Sequence, residues 1–225
     1  MRVAVIIPAL NEERAIGQVL AEIPRDAVSE VIVVDNGSSD HTAEVAREAG
    51  ARVVREERRG YGSACLRGMA ELQAPGVVVF LDGDHSDHPE ELPQLVAPIA
   101  EDRADLVIGS RALGRRERGS LTSQQVWGNR LACFLLRVLY RHRFTDLGPF
   151  RAIRYESLMA LGMCDPDYGW TVEMQIKALK RGLRVVEVPV SYRARVGTSK
   201  ISGTLRGTVL AGYKILTTIF RYAWR

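Results

Sequence analysis

The stretch VVVFLDGDHSDHP, residues 77–89, decides how the chain is read. Its first five residues are β-branched, aromatic or leucine, the pattern of a strand buried on both faces, Val77 to Leu81. The strand stops at Asp82 and Asp84, two carboxylates separated by one glycine. Ligands of open α/β sheets bind outside the carboxyl ends of the strands, and two hard oxygen ligands there suit Mg²⁺ or Mn²⁺ carrying a substrate diphosphate. Asp and Gly are also ordinary turn formers, so an isolated Asp-Gly-Asp carries little weight. The rest of the chain has to supply the context.

Working outward, short apolar runs alternate with segments of helical period. Val3 to Pro8, Val31 to Asp35, Arg52 to Arg55 and Leu106 to Gly109 read as further strands. Glu12 to Glu22, Asp40 to Ala49, Ser63 to Leu72 and Pro89 to Ala100 read as the helices between them. A βαβ series of this kind implies an α/β fold with a doubly wound, mostly parallel sheet flanked by helices. The loops at the strand ends then share one crest, and the acidic pair sits on it.

Composition agrees with one domain over residues 1–225. The chain has 46% hydrophobic residues, enough for a full core, and no Pro/Ser-rich tract at which to divide it. Within it, residues 1–110 form a first half, 111–204 a second, and 205–225 an amphipathic helix. No run approaches the roughly 18 to 20 apolar residues that span a bilayer, and the N-terminus enters a strand-like pattern at once, so the expected location is cytoplasmic. Cys65, Cys133 and Cys164 are odd in number and widely spaced, as free thiols of a reducing compartment are. The formal charge of +4 is mild, but Arg and Lys concentrate from Arg111 onward, which favours an anionic partner; nothing points to nucleic acid.

Three further loops belong on the crest: PALNEE at 8–13, DNGSSDHT at 35–42 and RGYGSA at 59–64. In the second, Asn36-Gly37 makes a turn and Ser39 or Asp40 can cap the next helix, which leaves Asp35 at the ligand edge, able to accept from the ring N–H of a base. In the third, Gly60 permits close backbone approach at a helix N-terminus, a favourable place for phosphate, with Arg59 as a neighbouring cation.

Taken in order and spacing, PALNEE, VVDNGSSD, RGYGSA and FLDGDHSDHP resemble the nucleotide-sugar-binding half of family 2 glycosyltransferases of the GT-A fold. LVIGSR at 106–111, DLGPFRAI at 146–153, GWTVEMQIKALKRG at 169–182 and VPVSYRARVGTSK at 188–200 resemble, more loosely, the branch that makes polyprenyl-phosphate (dolichyl-phosphate) mannose or glucose. The resemblance implies that Pro8, Asn11, Glu12 and Asp35 hold the nucleoside. It implies that Asp82 faces the donor and that Asp84 is the main metal-ligating carboxylate of a DXD motif. Arg111, Arg151, Arg195, Ser199 and Lys200 are expected around phosphate groups of donor or acceptor, where a planar guanidinium fork suits phosphate. This chain departs from the branch in carrying Pro149-Phe150-Arg151 where Gly-Phe-Arg is common, and Ser86-Asp87 where a His or Gln often follows the acidic pair.

Such enzymes transfer a hexose from UDP-glucose or GDP-mannose with inversion, in one in-line displacement. An acceptor phosphate is already anionic and needs no strong base. An acceptor hydroxyl does, and Asp146 and Glu173 are the candidates for it. Val126, Trp127, Leu131, Phe134, Leu135, Val138 and Leu139 recur at helical spacing among Arg130, Arg137 and Arg141. Leu205 to Arg225 repeats the pattern, with Leu210, Tyr213, Leu216, Ile219 and Phe220 among Lys214 and Arg221. Such basic amphipathic helices lie on anionic lipid, pack a core or form a homodimer contact. The expected partners are therefore a nucleotide sugar and a lipid phosphate, met peripherally at the membrane. Two other readings fit the pattern: a family 2 enzyme with a soluble phosphorylated or hydroxyl acceptor, and a nucleotide-sugar-binding or nucleotidyltransferase-like protein. The latter usually shows a Gly-rich, basic loop after the first strand, where this chain has PALNEE.

Overall fold

The computed structural model describes residues 1–197 and 205–223. The order of elements is β1 (Val3–Ala9), α1 (Ile16–Glu22), β2 (Glu30–Asp35), α2 (Thr42–Glu48), β3 (Arg52–Arg55), α3 (Tyr61–Ala70) and β4 (Val77–Phe80). A 3₁₀ turn at Pro89–Glu91 leads into α4 (Leu92–Ala100) and β5 (Leu106–Ser110). There follow α5 (Ser123–Tyr140), β6 (Arg151–Arg154), α6 (Tyr155–Leu161), α7 (Trp170–Lys180), β7 (Val185–Pro189) and α8 (Leu205–Ala223).

The strands form one sheet in the order β3-β2-β1-β4-β6-β5-β7. All neighbours are parallel except β6, which runs antiparallel between β4 and β5. Both halves of the sequence contribute to it, since β6 and β7 complete a sheet begun by β1 to β5. The successive strands β1 and β2 lead toward one edge, whereas β4 lies on the other side of β1, so the winding reverses between β1 and β4. The carboxyl end of that junction is where the crest opens into a crevice.

Side chains alternate across the central strands as the pleat requires. Ile6, Ile32, Val34, Val78 and Phe80 face one buried layer, and Val5, Ile7, Val33, Val79 and Leu81 the other. Helix α3 is pressed so closely on the first layer that a Cβ on Gly68 would lie 2.6 Å from Ile6 Cγ2. Trp170, at the start of α7, is fully buried and meets Phe80 edge-on with ring centroids 4.6 Å apart.

Helix α5 begins with a reciprocal cap, in which the Thr122 amide donates to Gln125 Oε1 (2.8 Å) and the Gln125 amide donates to Thr122 Oγ1 (3.3 Å). Ala132, Cys133 and Leu136 turn inward, while Trp127 (71% exposed), Phe134 (59%) and Val138 (57%) face outward. Helix α8 packs on α5 and α7. It contributes to the core, since Ile219 is buried there and the Tyr140 hydroxyl donates to its carbonyl (2.7 Å), while Leu210, Tyr213 and Phe220 stay exposed. No helix among the described residues is long and apolar enough to cross a membrane.

Candidate active site

Asp82 lies two positions beyond the end of β4, after Leu81, and stands between two clefts. The first, about 220 Å³, runs from Pro8 and Glu12 past Asn36 and Gly60 to the carboxylates Asp82 and Asp84. The second, about 300 Å³, runs from the same two carboxylates past Arg111 to Gln124 and Gly128 of α5 and Ala211, Gly212 and Ile215 of α8. Tyr61 and Tyr168 border both.

The carboxylates are short of positive charge. Burial, with the charge of Asp84 adding to it, pushes the Asp82 carboxyl up to about 7, and its Oδ1 is buried without a hydrogen-bond partner. Asp84 Oδ1 accepts from the Ser86 amide (3.0 Å) and hydroxyl, and Oδ2 lies 3.2 Å from Arg195 Nη1. Arg195 also donates through Nη2 to Glu12 Oε1 (2.7 Å), so its guanidinium joins the β1 loop to the acidic turn. The backbone fixes this arrangement, because the Arg193 and Val196 amides donate to the Ser86 and Asp84 carbonyls (2.9 and 3.0 Å).

A deficit of cation between two carboxylates, one with an unsatisfied oxygen, is what a divalent ion would relieve. Among the described residues no group of three or more His, Cys, Asp and Glu side chains is arranged to hold a metal. Two carboxylates alone could hold such an ion only if substrate oxygens and water filled its remaining positions, as they do where Mg²⁺ binds beside phosphates.

The nucleoside-side loops are knit together chiefly by their own polar groups. Asn11 has a left-handed backbone (φ 54°), accepts from the Ser39 amide through Oδ1 (2.7 Å) and donates its own amide to Ser38 Oγ (2.9 Å). Asp35 is buried and its Oδ1 accepts from the Ser38 amide (2.8 Å); it sits behind the first cleft, whose wall at this point is Asn36. Asn36, which the sequence reading assigned to a turn, accepts from the Gly60 amide (2.9 Å) and donates to the Arg58 carbonyl (2.8 Å), bringing RGYGSA to the cleft. Gly60 (φ 140°) and Gly62 allow a close approach, but the closest neighbour is protein: Cβ atoms there would lie 2.2 Å from the Pro166 carbonyl oxygen and 2.0 Å from that of Asp165.

Three expected site residues turn out to be committed elsewhere. Arg151 is fully buried and donates to the carbonyls of Thr171 (2.9 Å), Leu147 (3.3 Å) and Gly148, so its guanidinium stitches backbone together and is closed to a phosphate. Asp146 takes a bidentate pair from Arg111, Nε to Oδ2 and Nη2 to Oδ1 at 2.7 Å each, plus the Arg111 amide at 2.8 Å. Burial works to raise its carboxyl, but the Arg111 charge and hydrogen bonds outweigh it and hold the group below its ordinary value, which disarms it as a base. Glu173 is fully buried and away from both clefts; it accepts from the Asp165 amide (2.8 Å) and the Tyr222 hydroxyl (2.7 Å) and pairs with Lys177 (2.7 Å). Through Asp165 and Pro166 it anchors the loop that presses on Gly60 and Gly62. Ser199 and Lys200 lie outside the described residues.

The sequence reading missed a brace behind the acidic turn. Glu22, at the end of α1, meets His85 Nε2 (2.9 Å) and Arg193, and Arg193 Nε donates to the His85 carbonyl (2.8 Å). His85 is left-handed (φ 63°). His85 itself was the available signal, but its partners Glu22 and Arg193 are 63 and 108 positions away.

Residues 4–162 match the family described as Glycosyl transferase family 2. The chain belongs to that family. The two carboxylates of the clefts and the Arg111–Asp146 pair fall inside the matched span, while Glu173 and Arg195 fall beyond it. An uncharacterized glycosyltransferase of Mycobacterium tuberculosis is 41% identical over 214 residues, covering 93% of this chain and 94% of the relative. The dolichyl-phosphate hexose transferase of Haloferax volcanii is 36% identical over 213 residues, covering 92% and 90%. Among solved structures, glucosyl-3-phosphoglycerate synthase from Mycobacterium tuberculosis, in complex with Mn²⁺, UDP-glucose and phosphoglyceric acid, superimposes with a TM-score of 0.82 at 27% identity, covering 99% of this chain and 80% of that one. The protein is thus a glycosyltransferase of the GT-A fold, and the nucleotidyltransferase-like reading falls away.

Proposed function

We propose that this glycosyltransferase moves a hexose from a nucleotide sugar to a polyprenyl phosphate at a membrane surface, by inverting displacement and with Mg²⁺ or Mn²⁺ bound. The observation that carries the reading is the second cleft, which runs from Asp82 and Asp84 to Gln124 and Gly128 of α5 and to Ala211, Gly212 and Ile215 of α8, the two helices that also carry the exposed Trp127, Phe134 and Tyr213. A phosphate at the inner end of that cleft would leave its hydrocarbon chain to run out between these two helices. The likeness to a dolichyl-phosphate hexose transferase supports the same acceptor.

In this reading Asp82 and Asp84 would hold the ion as the carboxylates of a DXD motif, and the chemistry it would supply there is neutralisation of the diphosphate leaving group. Pro8, Glu12 and Asn36 border the nucleoside end, with Asp35 setting the wall from behind. Arg195 spans Glu12 and Asp84 beside the first cleft, and with an ion on Asp84 its guanidinium fork would be well matched to the diphosphate. Neither Asp146 nor Glu173 is free to remove a proton, which suits an acceptor that arrives ionised.

A second reading has a specific basis: the solved structure with a Mn²⁺, UDP-glucose and phosphoglyceric acid site shares the fold over almost this whole chain, which favours a soluble phosphorylated acceptor. A transfer panel decides between them. UDP-glucose and GDP-mannose, each with Mn²⁺ or Mg²⁺, are offered against a short polyprenyl phosphate in detergent and against 3-phosphoglycerate. Product on the polyprenyl phosphate alone is expected; product on phosphoglycerate alone would replace the lipid acceptor with the soluble one.

A further inference from the structure

Beside the acceptor cleft lies a third, of about 200 Å³, lined by Arg111, Arg116, Arg130, Val126 and Asn129. Its charge is unbalanced. Arg111 is neutralised by Asp146, but neither the Arg116 nor the Arg130 guanidinium pairs with any described residue. Nearby Glu117 accepts from the Ala194 amide (2.8 Å) and is turned to that task. The segment carrying Arg116 is held in place, since Tyr192 donates to the Arg115 carbonyl and accepts from the Glu117 amide, both at 2.9 Å. Two uncompensated guanidinia on fixed backbone, facing one cleft, form a site for a phosphate oxyanion.

Arg130 also borders the exposed apolar stripe. It follows Trp127 by three positions and precedes Leu131 and Phe134 by one and four, which at 3.6 residues per turn puts it on the flank of that stripe. An anion in the cleft would lie at the rim of the apolar surface, as a headgroup does beside acyl chains. The phosphate of the acceptor itself has to reach the sugar at Asp82 and Asp84, which line the neighbouring cleft and not this one.

We propose that the Arg116–Arg130 cleft binds the phosphodiester headgroup of an anionic membrane lipid and so orients α5 and the acceptor cleft on the bilayer. The inference rests on the interfacial part of the proposed function. It adds a second anion site, separate from that of the reacting phosphate.

The test compares the full chain with R116Q/R130Q, and with R14Q/R47Q as a control that removes the same charge at exposed positions on other elements. Vesicle binding is measured with phosphatidylcholine alone and with added phosphatidylglycerol. The parent should bind the phosphatidylglycerol vesicles more tightly. R116Q/R130Q should lose roughly tenfold or more of that affinity, a loss on the scale of two cations leaving an anionic surface, while binding of phosphatidylcholine and transfer to a short polyprenyl phosphate in detergent are unchanged. R14Q/R47Q should behave as the parent. Equal loss in the control would reduce the effect to net charge and overturn the site. So would equal binding by parent and R116Q/R130Q, or stabilisation of the parent by inorganic phosphate without any difference on vesicles, which would give the cleft to a soluble phosphate. If the parent ignores all vesicles, the interfacial reading itself fails, and the detergent assay shows separately whether the lipid acceptor survives.

Discussion

Arg195 and Asp84 are 111 positions apart in sequence and 3.2 Å apart in space, and the same guanidinium reaches Glu12 at 2.7 Å. One monovalent side chain thus pairs with the carboxylate that the proposed mechanism gives to a divalent ion. Asp84→Ala should lower metal-dependent turnover by about a hundredfold or more, the scale of losing several kcal/mol of leaving-group stabilisation, with an unchanged melting temperature. Arg195→Ala should weaken donor binding instead, because its counter-charge to Asp84 is replaced once the metal is present. Calorimetry of Mn²⁺ and nucleoside diphosphate binding separates the two; a D84A enzyme with parental Mn²⁺ affinity would remove Asp84 from the metal site.

The Arg111–Asp146 pair is a structural element in the wall of the acceptor cleft, and its behaviour on mutation differs from that of a general base. Removing one partner leaves a buried charge without its complement, so Asp146→Ala should cost about 3 to 5 kcal/mol of stability in chemical denaturation. A base would behave otherwise: its loss would abolish transfer and leave the denaturation midpoint where it was. That second pattern would return Asp146 to the chemistry.

At the opposite end of the sheet, hydrogen bonds from Arg184 outweigh burial and hold Asp105 at about 2. An unfolded chain titrates the same carboxyl near 4. Because the folded value is the lower one, the pair stabilises the native state above about pH 4 and the contribution fades as pH falls toward 2. Asp105→Asn should therefore lower the denaturation midpoint at neutral pH and flatten its decline between about pH 4 and 2. Parallel acid limbs for the two proteins would show that the decline has another origin.

The first half of the fold was legible because β1, β2, β4 and β5 are apolar runs that end at turn formers, and their alternation with helices gave the short RVVR of β3 its place. Val77 to Leu81 was expected and Val77–Phe80 is found, and β3 is found over Arg52–Arg55 as expected. Strands β6 and β7 were not legible as strands. RAIR is as short and as charged at its ends as RVVR but lies outside the βαβ alternation that places β3, and VVEVP is a half-buried edge that ends in proline. Their identity as strands comes from long-range pairing: β6 is drawn between β4 and β5, which no local pattern records. The acidic turn was visible because its residues are adjacent. The fates of Arg151, Asp146 and Glu173 were hidden because burial and partner choice settle them; a buried arginine on three carbonyls reads in sequence like a phosphate ligand.

The exposed face of α5 supplies the sharpest test of the acceptor. Trp127 and Phe134 are 71% and 59% exposed, so serine at both positions removes apolar surface from water and leaves the core untouched. If the stripe enters a membrane, each aromatic buries on the order of 150 Å² or more there, and at about 25 cal/mol per Å² the pair contributes up to several kcal/mol of interfacial affinity. Trp127→Ser/Phe134→Ser should then sediment poorly with vesicles and should slow transfer to a long-chain polyprenyl phosphate on those vesicles. Metal-dependent hydrolysis of the donor, which needs only the first cleft, should keep its rate. A parental rate on vesicle-borne acceptor would mean that α5 does not meet the bilayer, and the apolar stripe would then have to be covered by protein. A fall in donor hydrolysis equal to the fall in transfer would trace the defect to the shared carboxylates through α5, and the second cleft would lose its claim to guide a lipid.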